Sequence, residues 1–215
     1  MRILIPLFPG VTTLDAVGPY EVLRQLPDVE VHFPAVAPGV VLDGDETLGL
    51  RADTALSDFD RTDVLVVPGG PGARPLQRDA AFLDWIGRMA ATAEWTTSVC
   101  TGSLILGGAG LLRGLEATTH WSAVADLEAH GARYTEERVV VRDRVVTAAG
   151  VSAGIDMALT LAERLAGQVP ARAAQLSIEY DPQPPFDSGA PSKASPEVRA
   201  YLAERRRRRA ADASR

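Results

Sequence analysis

The chain has 215 residues, of which 46% are hydrophobic and 23% charged, and it contains one cysteine. A chain of this length and composition buries enough apolar surface to fold as one sizeable domain with a tail. One cysteine excludes an internal disulfide and a zinc site built from several thiolates, and the three histidines have no metal-ligand spacing. We therefore expect no metal site and, in agreement with the lack of disulfides, a cytoplasmic location.

The charge is unevenly distributed along the chain. The formal net charge is −6, yet the segment from Lys193 onward has eight basic and three acidic residues, so residues 1–192 have fourteen basic and twenty-five acidic ones. An acidic body of this kind disfavours nucleic acid as a partner. We predict a main domain over residues 1–192, whose catalytic role is implied by a resemblance given below, and a basic C-terminal helix or tail over residues 193–215. The run 205–209, all arginine, is interpreted as the solvated end of that helix.

No segment is apolar for the ~20 residues that a membrane-spanning helix needs. The apolar N-terminus resembles a signal peptide at first sight, but Pro6 and Pro9 interrupt it and no small-residue cleavage site follows. We expect a strand and a loop there, and no membrane partner.

Apolar runs separated by turn residues predict strands that alternate with helices. In chain order, the predicted elements are a strand at 2–7, a helix at 16–26, a strand at 29–36, a hairpin of 40–42 with 48–50, a strand at 63–67, a helix at 80–93, a strand at 95–99, a helix at 102–112, a short strand at 117–119, a helix at 122–130 capped by Ser122, a hairpin of 139–141 with 145–148, a helix at 153–165 and a helix from Pro196. This alternation predicts a three-layer α/β/α sandwich with a mostly parallel sheet, of flavodoxin-like type.

Cys100 lies at an abrupt turn between the predicted strand 95–99 and the helix from Gly102. Such a nucleophile elbow exposes a side chain above the sheet, and the N-terminus of the following helix favours a thiolate. We expect Cys100 to be an ionised nucleophile in the working pH range. The alternative is an inert core cysteine, which the position at a turn disfavours.

Three further groups are candidates for the same site. The backbone N–H groups of Gly70 and Thr101 are candidates for an oxyanion or substrate site, although Gly70 also fits an ordinary glycine turn. Asp15, bracketed by apolar residues, is a candidate acid and base for proton transfer, with an N-terminal helix cap as its alternative role. His120 could lie near the thiol or be a structural histidine.

At these residues the chain resembles the ThiJ/PfpI superfamily, which has a class I glutamine-amidotransferase-like fold, over residues 2 to about 186. Within it, the chain is most similar to the isonitrile hydratase branch. The matching segments are Leu-Asp-Ala-Val-Gly-Pro at 14–19, Pro-Gly-Gly at 68–70, Ser-Val-Cys-Thr-Gly at 98–102, Ala-Thr-Thr-His-Trp at 117–121 and Gly-Val-Ser-Ala-Gly-Ile-Asp at 150–156. Other branches have glutamate where this chain has Asp15, and the protease-like members have histidine where it has Thr101.

The resemblance implies catalytic roles for Cys100, Asp15 and Thr101, a homodimer, and hydration of a small isonitrile without any cofactor. Two alternatives stay open. AraC-type regulators use a similar domain to sense a small molecule, but they continue into a DNA-binding module, for which we expect the residues after Ser192 to be too few. A glyoxalase or deglycase would use the same cysteine with glutamate and histidine, which Asp15 weakly disfavours.

Overall fold

The computed structural model describes residues 1–212, in which strands and helices alternate along most of the chain. The strands are β1 (Arg2–Leu4), β2 (Glu30–His32), β3 (Pro34–Ala35), β4 (Gly39–Leu42), β5 (Gly49–Ala52), β6 (Thr54–Ala55), β7 (Val64–Val67), β8 (Trp95–Val99), β9 (Glu116–Ala117), β10 (Arg133–Tyr134), β11 (Val139–Arg142) and β12 (Val145–Ala148). The helices are α1 (Thr13–Leu23), α2 (Ala73–Leu76), α3 (Ala80–Thr92), α4 (Gly102–Gly108), α5 (Val124–Ala129), α6 (Ala153–Ala166), α7 (Gln168–Ser177) and α8 (Pro196–Asp212).

The central sheet has six strands in the order β11-β12-β8-β7-β1-β2. All neighbours in it are parallel except β11 and β12, which form an antiparallel hairpin at one edge. Strand β7 consists of four apolar residues that are all fully buried, as expected for a central strand covered on both faces. Helices α1, α6 and α7 pack together, and α4 packs with α2, α3 and α5. The predicted α/β/α sandwich with a mostly parallel sheet is confirmed.

Several predicted boundaries were wrong. The first strand ends at Leu4 because Pro6 has no N–H, although the Ile5 N–H still donates to the His32 carbonyl at 3.0 Å. The strand predicted at 29–36 is divided, since β2 pairs with β1 whereas β3 leaves the sheet to pair with β6. The helix predicted at 102–112 ends at Gly108, and Gly110 follows with a φ of 78°.

Two other local predictions also changed. Ser122 does not cap a helix: it lies inside a short 3₁₀ turn, and the His120 ring accepts a hydrogen bond from its N–H. Helix α7 was not predicted. In the structure Pro170 occupies the first turn of α7, where a missing N–H costs nothing.

The chain divides into two compact units, residues 1–179 and a second unit that begins at Tyr180. The predicted domain boundary after Ser192 therefore falls inside the second unit, and the functional division at that residue stays a prediction. The helix predicted from Pro196 is present as α8, but it continues to Asp212, so the arginine run lies within the helix and does not end it. No helix among residues 1–212 is long and apolar enough to cross a membrane.

Candidate active site

Cys100 lies in a strained turn between β8 and α4. Its φ is 57°, in the left-handed region that residues with a side chain rarely adopt, and its N–H donates to the carbonyls of Ala148 and Ala149, each at 3.1 Å. The turn also requires Gly102, because a Cβ there would lie 2.1 Å from the Val67 carbonyl oxygen. The predicted nucleophile elbow is therefore present, and non-Gly residues at position 102 are sterically excluded.

Asp15 lies in the first turn of α1 and is fully buried. It is not the helix cap, which is Thr12; its Oδ2 instead accepts the Gly69 N–H across the site at 2.9 Å. Its Oδ1 is buried and has no hydrogen-bond partner among the described residues. Burial raises the pKa of Asp15 to about 7, against the lowering effects of the Gly69 N–H and of a hydrogen bond with Cys100. A carboxyl group in this state holds a proton near neutral pH and can release it.

The ionisation state expected for Cys100 was wrong. The side chain is only 5% exposed, and burial, followed by the nearby charge of Asp15, raises the pKa of the thiol to about 12. The Thr101 N–H, the Val151 N–H and the Thr101 hydroxyl lower this pKa, but less than burial raises it. The N-terminus of the seven-residue helix α4 favours the thiolate, but it does not offset the rise in the thiol pKa that burial causes. The resting site is therefore a neutral thiol beside a carboxyl group that titrates near pH 7.

The glycines at 69 and 70 bring the backbone against Thr101. A Cβ at Gly69 would lie 2.5 Å from the Thr101 nitrogen, and one at Gly70, whose φ is 131°, would lie 2.3 Å from the Gly10 carbonyl oxygen. The Gly70 N–H donates to Thr101 Oγ1 at 2.9 Å, and this hydroxyl donates to the Gly70 carbonyl at 3.1 Å. Of the two predicted oxyanion donors, the Thr101 N–H points at the sulfur, whereas the Gly70 N–H already has a partner.

His120 lies at the edge of the site. Its Nδ1 accepts the Ser122 N–H at 3.2 Å, so the neutral ring carries its proton on Nε2. The ring packs beside Trp121, with 5.4 Å between the ring centroids, and covers Gly150, where a Cβ would lie 2.7 Å from the imidazole. These contacts hold the ring in place next to the segment that carries Val151.

Val151 is a site residue that the reasoning from sequence missed. Its backbone N–H acts on the thiol of Cys100, and its φ is 24°, a strained value for a β-branched residue. The segment 150–156 matched the family pattern, yet a backbone donor leaves no side-chain signature in a sequence. Among residues 1–212, no group of three or more acidic, histidine or cysteine side chains is placed to hold a metal ion.

The fold and this site define a class of α/β proteins in which a cysteine occupies a strand-to-helix elbow beside a buried carboxyl group. The model of the DJ-1/PfpI family matches residues 1–164, and the chain belongs to this family. The resemblance to the ThiJ/PfpI superfamily predicted from the sequence is thereby confirmed.

Individual relatives agree with this membership. The chain is 48% identical over 190 residues to an isonitrile hydratase from Pseudomonas putida, covering 87% of this chain and 82% of that protein. A crystal structure of a ThiJ/PfpI family protein from Pseudomonas syringae superimposes with a TM-score of 0.90 at 38% identity, covering 94% of this chain and 84% of that one. An HTH-type transcriptional regulator from Pseudomonas aeruginosa is 28% identical over 182 residues, which cover 81% of this chain but 53% of the regulator.

Proposed function

We propose that this protein is an isonitrile hydratase, a cofactor-independent hydro-lyase that adds water to the terminal carbon of an isonitrile and releases an N-substituted formamide. The observation that carries the proposal is the 48% identity to the Pseudomonas putida isonitrile hydratase over most of both chains. The buried pair of a neutral Cys100 thiol and an Asp15 carboxyl group with a pKa near 7 supports it, because an isonitrile carbon must be both protonated and attacked by a nucleophile.

The first half of the reaction forms a covalent intermediate. The Asp15 carboxyl group gives its proton to the terminal carbon of R–N≡C, and the Cys100 sulfur attacks the same carbon. The thiol proton passes to the Asp15 carboxylate, which leaves a thioimidate, Cys–S–CH=N–R, and a protonated Asp15. A raised Asp15 pKa near 7 matches this double role, since the group must donate and regain a proton in each cycle.

The second half consumes water. Asp15 protonates the thioimidate nitrogen, and its carboxylate then removes a proton from the water that adds to the carbon, giving Cys–S–CH(OH)–NH–R. Collapse of this adduct breaks the C–S bond; Asp15 gives its proton to sulfur and takes the proton of the hydroxyl group, so that R–NH–CHO leaves and the thiol and the protonated Asp15 are restored. The Thr101 N–H stabilises charge that develops at the site, and the Thr101 hydroxyl orients substrate or water. We assign the substrate-binding edge to His120 and to Gly70, whose N–H must exchange its bond to Thr101 Oγ1 for any contact with substrate.

The test is turnover of an alkyl isonitrile such as cyclohexyl isocyanide, with the formamide product followed by mass spectrometry. We expect turnover by the wild-type protein, an intact-mass adduct of one isonitrile per chain, and neither with Cys100→Ala. Absence of turnover, or undiminished turnover by Cys100→Ala, would overturn the proposal. Methylglyoxal is assayed in parallel, because its conversion without isonitrile turnover would favour the glyoxalase alternative. Thermal stabilisation by isonitriles without turnover would favour a sensor.

We also propose that the protein is a homodimer in the cytoplasm, with no nucleic acid or membrane partner. An exposed apolar cluster on and beside the β4–β5 hairpin supports the dimer: Val36, Val40, Leu42 and Leu48 are 77%, 70%, 41% and 52% exposed. A groove of about 360 Å³ next to this cluster has an apolar wall. A second copy would remove these side chains from water. Light scattering during gel filtration should give twice the chain mass, and Val40→Glu should shift it to the monomer; a wild-type monomer would refute the dimer.

A further inference from the structure

We infer that Thr119 is a positioning residue for Cys100: its hydroxyl holds the Cys100 carbonyl and thereby aims the adjacent Thr101 N–H at the reacting sulfur. The catalytic consequence of this inference rests on the proposed function. The consequence for the reactivity of the thiol is independent of that function, so the rate of thiol alkylation tests the inference separately.

Two buried hydroxyl groups donate to one carbonyl oxygen at the elbow. Thr119 Oγ1 and Ser103 Oγ each lie 3.1 Å from the carbonyl oxygen of Cys100. The Ser103 bond is local, since a serine in the first turn of a helix commonly reaches a carbonyl three residues back. Thr119 is nineteen residues away and belongs to a different segment. Its bond therefore ties the elbow to a segment of the fold outside α4.

The geometry of the peptide group connects this carbonyl to the sulfur. The Cys100 C=O and the Thr101 N–H belong to one planar trans peptide and point in opposite directions. Fixing the oxygen on one side therefore fixes the N–H on the other, where it meets the thiol and favours its ionised form. Two donors on the oxygen also polarise the peptide and strengthen its N–H as a donor. Because Cys100 has a φ of 57°, the elbow needs such restraints to keep this orientation.

The segment that carries Thr119 is itself anchored to the sheet. The Thr118 N–H donates to Thr147 Oγ1 at 2.9 Å, and Thr147 is the register partner of Ser98 on β8. Thr119 is thus held relative to the strand that ends at Cys100. The Thr118 hydroxyl, in contrast, is buried without a hydrogen-bond partner among the described residues. Two adjacent, buried threonines therefore differ in one respect: the hydroxyl of one contacts the elbow and that of the other does not.

The experiment compares Thr119→Val with Thr119→Ser and with Thr118→Val as the matched control. Valine has the shape of threonine without the hydroxyl, serine keeps the hydroxyl, and the control removes a hydroxyl that has no hydrogen-bond partner within residues 1–212. Two quantities are measured for each protein: the rate of Cys100 alkylation by iodoacetamide between pH 7 and pH 10, and kcat and KM for cyclohexyl isocyanide. Circular dichroism melting confirms that each variant is folded.

We expect Thr119→Val to lower both the alkylation rate and kcat about tenfold, the loss of roughly one hydrogen bond, with KM changed less than about twofold. The alkylation rate should fall at every pH, because the thiol pKa moves further upward. Thr119→Ser should recover most of both rates, and Thr118→Val should behave as wild type. Thr119→Ala replaces the valine variant in this comparison if the latter does not fold.

Alkylation of Thr119→Val at the wild-type rate would overturn the inference, as would equal losses in Thr119→Val and Thr118→Val, which would indicate packing alone. Failure of the proposed function gives a different pattern. In that case no protein, including wild type, turns over the isonitrile, whereas the alkylation rates still separate Thr119→Val from its control.

Discussion

Two aspartates, Asp15 and Asp63, lie at opposite ends of the strands of the central sheet, and their environments differ. At the carboxyl ends of the strands, Asp15 is fully buried, faces no cation and keeps one oxygen without a partner among the described residues. At the amino ends, Asp63 accepts the Arg2 N–H at 2.7 Å and forms an ion pair with Arg61 at 3.7 Å, with 38% of its side chain exposed. Asp63 is a structural carboxylate, whereas Asp15 has the environment of an acid and base.

A cavity of about 560 Å³ opens at the amino ends of the strands, beside Asp63, Asp28 and Glu30. Two of its charged groups have partners: the Asp63 carboxylate accepts the Arg2 backbone N–H and lies 3.7 Å from the Arg61 guanidinium, and the N-terminal ammonium donates to the Asp28 carbonyl. Burial that raises the pKa of Asp15 and leaves one of its oxygens without a hydrogen-bond partner among the described residues indicates a candidate acid and base, whatever the size of the nearby cavity. The Asp63 carboxylate at the amino ends is partly exposed and has two partners, so its environment does not favour acid–base chemistry in the same way.

Replacing each aspartate by asparagine gives the largest expected contrast. Asp15→Asn should lower kcat for isonitrile hydration by about 10²- to 10⁴-fold, because it removes the proton donor and keeps the shape. Asp63→Asn should leave kcat within about twofold. Steady-state kinetics of the two variants check this, and equal losses would show that the two ends do not differ in chemistry.

Asp15→Asn should also change the stability of the protein, by an amount that depends on pH. The pKa of Asp15 is raised from 3.8 to about 7. The favourable contribution of the protonated carboxyl group to the free energy of unfolding is therefore complete below pH 3.8 and is lost as the pH rises through 7. Ionising this group in the folded protein at pH 8 costs roughly 4 kcal/mol. Asp15→Asn should therefore increase the free energy of unfolding relative to wild type at pH 8, and much less at pH 5. Urea unfolding at both pH values measures the difference; a variant less stable than wild type at pH 8 would contradict the assigned burial cost.

The activity of the wild-type protein should also report the protonated form of Asp15. If the proton on Asp15 is required, kcat/KM should fall about tenfold per pH unit above a midpoint near 7. The Cys100 thiol, with a pKa near 12, contributes no rising limb near neutral pH. A profile that rises between pH 7 and pH 9 would indicate that a free thiolate limits the reaction. Asp63→Asn serves as the control and should give the wild-type profile.

The smallest effect is expected at the ion pair of Asp63. Arg61 is 68% exposed and lies 3.7 Å from the carboxylate, a geometry in which solvent screens most of the attraction. Arg61→Ala should lower the free energy of unfolding by less than about 1 kcal/mol and leave kcat unchanged. Thermal melting and the isonitrile assay test both statements. A loss of activity would mean that the amino ends of the strands contribute to the site.

The sequence predicted most of the fold because its signals are local. Strand β8 has the predicted bounds, α3 and the β11–β12 hairpin differ from prediction by one residue, and the elbow at Cys100 follows from a strand that runs into a glycine-started helix. Boundaries failed where a distant partner decided them. The segment 29–36 was predicted as a single strand, but its two halves pair in two different sheets.

The candidate site was also predicted only in part from the sequence. Cys100, Asp15, Thr101 and Gly70 were selected from the sequence, and the structure brings them to one edge of the sheet. The neutral state of the thiol was not predictable, because desolvation depends on how completely the fold covers the sulfur and the carboxyl group. The contributions of the Val151 N–H and the Thr119 hydroxyl were equally hidden, since both depend on segments far from Cys100 in the chain.

The sequence by itself therefore determined most of the order of strands and helices, the position of the single cysteine at an elbow and the family. Only the tertiary structure decided which groups lose their water, which N–H groups point at the sulfur and which already have partners. Periodicity and turn residues act over a few neighbours along the chain, so a sequence carries them directly. Burial and hydrogen bonding at the site arise from segments that are distant in the chain, such as those of Asp15 and Gly69, and they exist only after those segments have packed.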